Sequence, residues 1–347
     1  MLQALASVAP GTPLRDGLDR ILQAQKGALI VVGDGPDILQ ICSGGFLLDA
    51  EFTPQRVSEL AKMDGAIILA PDASRIARAN VHLVPDPSLA TSETGTRHRT
   101  AERVARSVDV PVVSVSEDMG IITLYFHDEK HPLEPIPKLL SRANQALQTL
   151  ERYKTRLDDV AAALHALEVE DLVTIRDVVH VLQRTEMVRR IAEEIDGYIV
   201  ELGTDGRLLL LQLEELLGGL QDERRSIIRD YAALDRGFSA EATVSMLSSL
   251  SADALLDAKQ IVRALRLPGD SLDQPVQARG HRILGRIPRL PDSVAVRIVE
   301  RFGTLSKLMN ATVEELCQVD GVGEGRAMAI KEGLERQAES SILERRY

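Results

Sequence analysis

One segment, Thr94-Gly95-Thr96-Arg97-His98-Arg99-Thr100-Ala101-Glu102-Arg103, constrains this chain more than any other. Beyond Gly95, Ala101, Val104, Ala105 and Val108 recur at i, i+3, i+4 and i+7. That spacing predicts a helix with one apolar stripe turned to a core. A helix start carries unpaired backbone N–H groups and the positive end of the macrodipole. Hydroxyls from Thr96 and Thr100 and cations from Arg97 and Arg99 at such a start suit a polyphosphate.

A second motif, Asp64-Gly65-Ala66, precedes the apolar run Ile67-Ile68-Leu69-Ala70. The run reads as a buried strand with the carboxylate at its leading end. A carboxylate there can bind a divalent metal or accept a proton from a sugar hydroxyl, and the glycine admits a ligand close to the backbone. Alone, Asp-Gly marks no more than a turn before a strand.

Around these motifs the first part of the chain has an α/β pattern. Leu14 to Gln25 and Pro54 to Lys62 have helical spacing, the second with Thr53 as N-cap. The runs Ala28–Val32 and Ile38–Cys42 are expected to form a hairpin through Gly33 to Asp37. Further strands are expected at Ala66–Leu69, Val81–Val84, Pro111–Val115 and Ile121–Phe126, the last two joined as a hairpin through Glu117 to Gly120. The result is a mixed sheet with flanking helices.

Near Pro132 to Pro137 the pattern changes. A long helix is expected from about Lys138 to Leu167, followed by an all-α spine in which Gly203 to Gly206 forms a turn. The pairs Arg189-Arg190 and Arg224-Arg225 read as solvated faces. Leu267-Pro268-Gly269-Asp270 reads as a linker to a tail of short helices. The divisions expected are 1–137, 138–270 and 271–347.

In the tail, Leu316 and Val319, then Gly321 and Gly323, then Ala327 and Ile330 have helix–hairpin–helix spacing. The glycines let the chain reverse and turn amides outward ahead of a helix start, where a DNA phosphate can sit. Gly321, Val322, Gly323, Gly325 and Arg326 are the candidate DNA contacts. A degenerate first copy runs from Ile287 to Gly303 without the turn glycines.

Charge agrees with this placement. The chain carries −11 overall, yet from His281 onward it holds 11 Lys and Arg against 10 Asp and Glu, a balance of +1 that leaves −12 upstream. With no Trp and 3% aromatic residues, base stacking is not the main binding mode. No apolar stretch reaches transmembrane length, the longest being Leu208 to Leu213, and the N-terminus lacks the pattern of a signal peptide. The two cysteines, Cys42 and Cys317, are expected as buried thiols in a reducing cytoplasm.

Asp64-Gly65-Ala66, then Gly95-Thr96-Arg97-His98-Arg99, then a helical spine and a helix–hairpin–helix together resemble the DisA family of DNA integrity scanning proteins, which are bacterial diadenylate cyclases. The resemblance covers the whole chain. It implies condensation of two ATP molecules to cyclic di-3′,5′-adenylate and two pyrophosphates with Mg²⁺ or Mn²⁺. It also implies a homo-octamer and a tail that engages branched DNA and lowers cyclase output. Asp64 would help deprotonate the 3′-hydroxyl or hold the metal, and Gly65 would admit the nucleotide. Thr96, Arg97, His98, Arg99 and Thr100 would hold the triphosphate, with His98 also a metal ligand. Leu83 would contact adenine, and Ser116 and Glu117 would be further site members. Two rivals remain: an ATP-sensing protein that binds DNA junctions without turnover, and a structural junction protein whose N-terminal domain only oligomerises. The first leaves Asp64 unexplained; the second leaves the cluster at Arg97 to Arg99 without purpose.

Overall fold

The structure, a computed structural model, describes residues 1–233, 239–268 and 271–344. The chain forms two compact units, Met1–Ala146 with Glu194–Gln212, and Leu147–Glu193 with Leu213–Tyr347.

The first unit is built on a sheet of strands β1 (Ala28–Val32), β2 (Cys42–Ser43), β3 (Phe46–Glu51), β4 (Ala66–Leu69), β5 (Arg75–Leu83), β6 (Val112–Val115), β7 (Ile122–Phe126) and β8 (Glu129–Pro132). Their order is β2-β5-β4-β1-β6-β7-β8, with β3 also paired to β5. β1 runs parallel to β4 and antiparallel to β6, so the sheet is mixed. All five residues of β1 are buried. Alternate residues of the sheet face two separate cores. On one face Ile30, Ile67 and Val113 pack with Leu5 of helix α1 (Leu2–Ser7) and Val8 just after it, Leu14, Leu18 and Ile21 of α2 (Pro13–Gln23), and Val57 of a later helix. On the other, Leu29, Val31, Ile68 and Tyr125 pack with Ile38 of α3 (Pro36–Gln40). Val57 belongs to α4 (Pro54–Leu60), and α5 (Thr96–Ser107) adds Ala101, Val104 and Ala105 to the second core. Thr53 caps α4 by accepting from the Arg56 amide at 3.2 Å.

The expected hairpin from Ala28 to Cys42 does not form. Pro36 sits in the first turn of a helix, α3, and β1 has β4 and β6 on its two edges. The fixed φ of proline at a helix start outweighs the short apolar run Ile38 to Cys42. The hairpin between β6 and β7 is present. Strands β3, β8 and the first half of β5 escape the periodicity reading. β8 is Glu-Lys-His-Pro, and Arg75 and Arg78 interrupt β5; the Arg75 guanidinium is held at 2.6 Å by Asp34 and at 2.5 Å by Asp49. Cys42 is half-buried and Cys317 exposed, so neither is the buried thiol expected.

The remaining helices are α6 (Ile136–Glu170), α7 (Ile175–Leu202), α8 (Arg207–Leu217), α9 (Leu220–Tyr231), α10 (Ala240–Ser249), α11 (Ala252–Leu256), α12 (Ala258–Ala264), α13 (His281–Gly285), α14 (Asp292–Phe302), α15 (Leu305–Met309), α16 (Val313–Cys317) and α17 (Glu324–Glu344). Gly203–Gly206 is a 3₁₀ turn. Gly269 and Asp270 of the expected linker lie outside the described residues. The tail is not all short helices, since α17 spans 21 residues.

The second unit buries charge. Arg189 and Arg224 are not on solvated faces: both are buried and both pair with Glu186, which is 0% exposed. Arg282 and Glu168, also buried, pair with each other, and Tyr231 donates to the same carboxylate at 2.7 Å. Asp230 is the anchor of α13. Its carboxylate accepts from the backbone amides of Gly280, His281 and Arg282 at 2.8, 2.6 and 2.9 Å, so one side chain satisfies three donors at a buried helix start. Removing it leaves those donors stranded. Asp230→Ala is expected to speed amide exchange at Gly280 to Arg282 by roughly 30-fold or more, equivalent to about 2 kcal/mol of local stability. Unchanged exchange would contradict the anchoring.

Candidate active site and nucleic-acid interface

The parallel pair β1–β4 and the start of α5 meet at one end of the sheet, where they enclose a cavity of about 390 Å³. That is within the range of small-ligand sites. Asp64, Gly65, Leu83, Thr96, Arg97 and Thr100 all line it. Residues thirty positions apart in sequence thus share one wall.

Each is held for a local reason. Gly65 has φ of +120°, and a Cβ there would lie 2.8 Å from the Asn80 carbonyl carbon. The glycine is required by the tight crossing of β4 and β5 as well as by any ligand. Asp64, just before it, is fully exposed to the cavity and meets the Arg97 guanidinium at 3.4 Å. Gly95 is the N-cap of α5 and no side chain caps that helix, so its first amides are left for a ligand. The Thr100 hydroxyl donates to the Thr96 carbonyl at 2.9 Å.

Gly27 was not legible as a site residue. A Cβ at Gly27 would sit 2.8 Å from Arg97 Cζ and 3.3 Å from the Val115 carbonyl oxygen. The Arg97 guanidinium therefore lies against the chain just ahead of β1, in space that a side chain at Gly27 would fill. Ala66, the third residue of the Asp64-Gly65-Ala66 motif, lines the cavity too, and Leu29, Val81 and His82 join it without having been singled out as site residues.

Other expected members are elsewhere. Arg99 is exposed and is not part of the cavity lining. Ser116 closes the β6–β7 turn, its hydroxyl accepting from the Met119 amide at 3.2 Å, and Glu117 pairs with Lys26 at 3.7 Å. His98 is turned to Tyr125, with Nδ1 and the phenol oxygen 2.9 Å apart. Burial holds the His98 pKa below the ordinary imidazole value, the Lys130 and Arg97 charges acting the same way against Glu93. Burial and the bond to Glu93 raise the Tyr125 pKa, so the phenol keeps its proton.

Among the described residues no group of three or more His, Cys, Asp or Glu side chains could by itself cage a metal. Asp64 fits a different arrangement. Its exposed carboxylate has free lone pairs near the uncapped start of α5, and a Mg²⁺-like ion is commonly held by one or two carboxylates plus substrate phosphates.

In the second unit the expected DNA turn lies between α16 and α17. Gly321 adopts φ of +86°, and Gly323 and Gly325 are exposed with nothing within 4 Å of a Cβ position. Arg326 is exposed and donates to the Gly321 carbonyl. Val322 differs from the exposed residues around it: it is 5% exposed and its amide donates to the Val319 carbonyl at 3.0 Å, so its side chain belongs to the core. The degenerate copy follows the same path between α13 and α14. Leu290 donates to the Ile287 carbonyl as Val322 does to Val319, and Arg289 occupies the left-handed position of Gly321 with φ of +62°. A non-glycine residue there is strained by about 1 kcal/mol.

Three family models match the chain: "DisA bacterial checkpoint controller nucleotide-binding" over residues 15–130, "DisA bacterial checkpoint controller linker region" over 133–273, and "Helix-hairpin-helix motif" over 284–343. Curated relatives named DNA integrity scanning protein DisA are similar over nearly the full length. That of Frankia alni is 58% identical over 344 residues, 98% of this chain and 96% of its own. That of Acidothermus cellulolyticus is 57% identical over 98% and 94% of the two chains, and that of Streptomyces coelicolor is 54% identical over 99% and 94%.

Gly27→Ala tests the seating of Arg97. The clash falls on the mobile end of a side chain, so the fold is expected to survive with an unchanged thermal melt. Displacing the guanidinium by about 1 Å is expected to lower nucleotide turnover by roughly 10- to 100-fold. Full activity in the folded variant would show that Arg97 needs no such seat.

Proposed function

The chain belongs to the DisA family, and from that membership we propose that it condenses two ATP molecules to cyclic di-3′,5′-adenylate with release of two pyrophosphates. The observation that carries this reading is the juxtaposition of Asp64 and Arg97, 3.4 Å apart in one cavity with Thr96, Thr100 and Leu83.

The residues divide the work. The amides at the start of α5, the Thr96 and Thr100 hydroxyls and the Arg97 guanidinium receive the triphosphate and offset charge as pyrophosphate departs. Leu83 supplies apolar contact to the base. Asp64 draws the proton from the 3′-hydroxyl or holds a divalent cation beside it. Mg²⁺ or Mn²⁺, when bound there, supplies Lewis-acid stabilisation of the phosphate oxygens. At each centre a 3′-oxygen–phosphorus bond forms, the bond to pyrophosphate breaks and one proton leaves.

Two such sites must face each other, because each nucleotide is both attacker and target. A two-fold pair of subunits is the simplest device for a two-fold symmetric product. A closed octamer contains such pairs, and we assign that assembly to the protein. The helix–hairpin–helix tail binds DNA through backbone amides and so reads shape rather than base sequence. Branched DNA is the substrate that suits this mode, with binding lowering cyclase output in a role tied to DNA damage and repair. No helix among the described residues is long and apolar enough to cross a membrane, and the two unpaired thiols suit a cytoplasmic setting.

Incubation with ATP and Mg²⁺ or Mn²⁺, followed by mass spectrometry, is expected to yield cyclic di-adenylate. Asp64→Asn is expected to lower kcat by about 100-fold or more while ATP still binds. ATP bound but unconverted by the unaltered protein under both metals would favour a sensor. For the tail, Gly323→Val together with Gly325→Val places side chains where the structure leaves open space. Affinity for a four-way junction is expected to fall at least about tenfold as the phosphate is pushed off the amides. Undiminished affinity would remove this turn from the DNA surface.

A further inference from the structure

Four side chains outside the cavity lining, one of them on the first turn of α5 next to Arg97, form a chain that the reaction described above does not use. Lys130 of β8 pairs with Glu93 Oε1, the Tyr125 phenol donates to the same oxygen at 2.9 Å, and His98 Nδ1 lies 2.9 Å from the phenol oxygen. Tyr125 is 1% exposed and Glu93 is mostly buried. The Glu93 segment is itself pinned to α5: Glu102 accepts from the Thr91 hydroxyl at 2.5 Å and from the Ser92 amide at 3.0 Å. A loop with no secondary structure is thus held in one place against the helix that carries Arg97.

The direction of the bonds is fixed by what each group can give. A carboxylate paired with an ammonium only accepts. Tyr125 has one proton and gives it to Glu93, so toward His98 its oxygen can only accept. His98 Nδ1 must then carry the ring proton. In the neutral ring Nε2 is left as a bare lone pair, and no protein group among the described residues meets it.

We propose that Glu93 and Tyr125 are positioning residues that lock His98 in its Nδ1–H form, so that His98 meets the bound nucleotide with an electron pair rather than an N–H. Such a nitrogen accepts a hydroxyl proton or ligates the cation that accompanies the triphosphate; it does not donate to a phosphate oxygen. This separates His98 from Arg97, its neighbour in sequence, which is always a donor. Buried partners of this kind commonly set the tautomer and orientation of a working histidine.

The inference rests on the cyclase reading for its purpose, though its test reads the proton directly. Solid-state ¹⁵N NMR of sedimented full-length protein labelled at histidine, with His98→Gln to identify the signal, is expected to show Nδ1 protonated and Nε2 bare. Tyr125→Phe removes the acceptor, and Glu93→Leu removes the group that takes the Tyr125 proton and so frees the phenol to donate toward His98. Each is expected to shift the ring to Nε2–H and to lower kcat by about 10- to 100-fold, with KM for ATP changed less than about threefold. Should Tyr125→Phe fold poorly, Glu93→Leu keeps the Tyr125 ring in place and gives the same readout. With a non-hydrolysable ATP analogue and Mn²⁺, paramagnetic loss of the Nε2 signal supports cation ligation, and a bare Nε2 that persists supports proton acceptance. A protonated Nε2 in the unaltered protein, free or with nucleotide, overturns the proposal, as does a tautomer unmoved by both variants. Protein with the expected tautomer that makes no cyclic dinucleotide would sink the cyclase reading alone.

Discussion

Everything at the candidate site depends on β1 being enclosed. Its five buried residues are covered on both faces, and its two edges are taken by β4 and β6. A strand so placed allows neither neighbour to slip, because a one-residue shift would turn Ile67 and Ile68 to the wrong cores. The parallel register with β4 fixes where Asp64 emerges. The apolar stripe of α5, packed on the same strands, fixes where Thr96 and Arg97 emerge. Geometry at the cavity is therefore inherited from burial several residues away.

Much of this was legible because both motifs are local. The 3.6-residue period after Gly95 marks α5 within its own sequence, and the apolar run after Gly65 marks β4. What escaped has a common cause: long-range partners. Arg75 opens β5 with a charge that the alternation does not explain until Asp34 and Asp49 are found paired with it. Gly27 carries no signal at all, since its meaning is the guanidinium that lies on it. Arg189 and Arg224 look like surface charges until Glu186 is found between them. Pro36 is a local signal as well: its fixed φ starts α3 where the apolar run after it alone suggests a strand.

The two units solve the problem of buried polarity differently. Around the cavity the charged groups keep contact with solvent, Asp64 fully and Arg97 in part, and remain free to exchange partners for a ligand. In the helical unit Glu168, Glu186 and Asp230 are buried and partnered, the two glutamates by guanidinium groups and Asp230 by backbone amides. Breaking one of those sets strands a buried charge, which costs far more than an exposed pair returns. Such sets favour one arrangement of helices over near alternatives.

The paired turns of the tail have one more consequence. Leu290 and Val322 make the same backbone bond, so the two loops trace one path, yet one crest is Arg289 and the other is Gly321. A glycine crest grips through fixed dipoles at contact distance, whereas a guanidinium on a flexible stem attracts from further away and weakens as ions are added. Two half-sites alike in shape and unlike in range impose polarity. A strand laid across them has a near end and a far end, although the fold that holds it is almost a repeat.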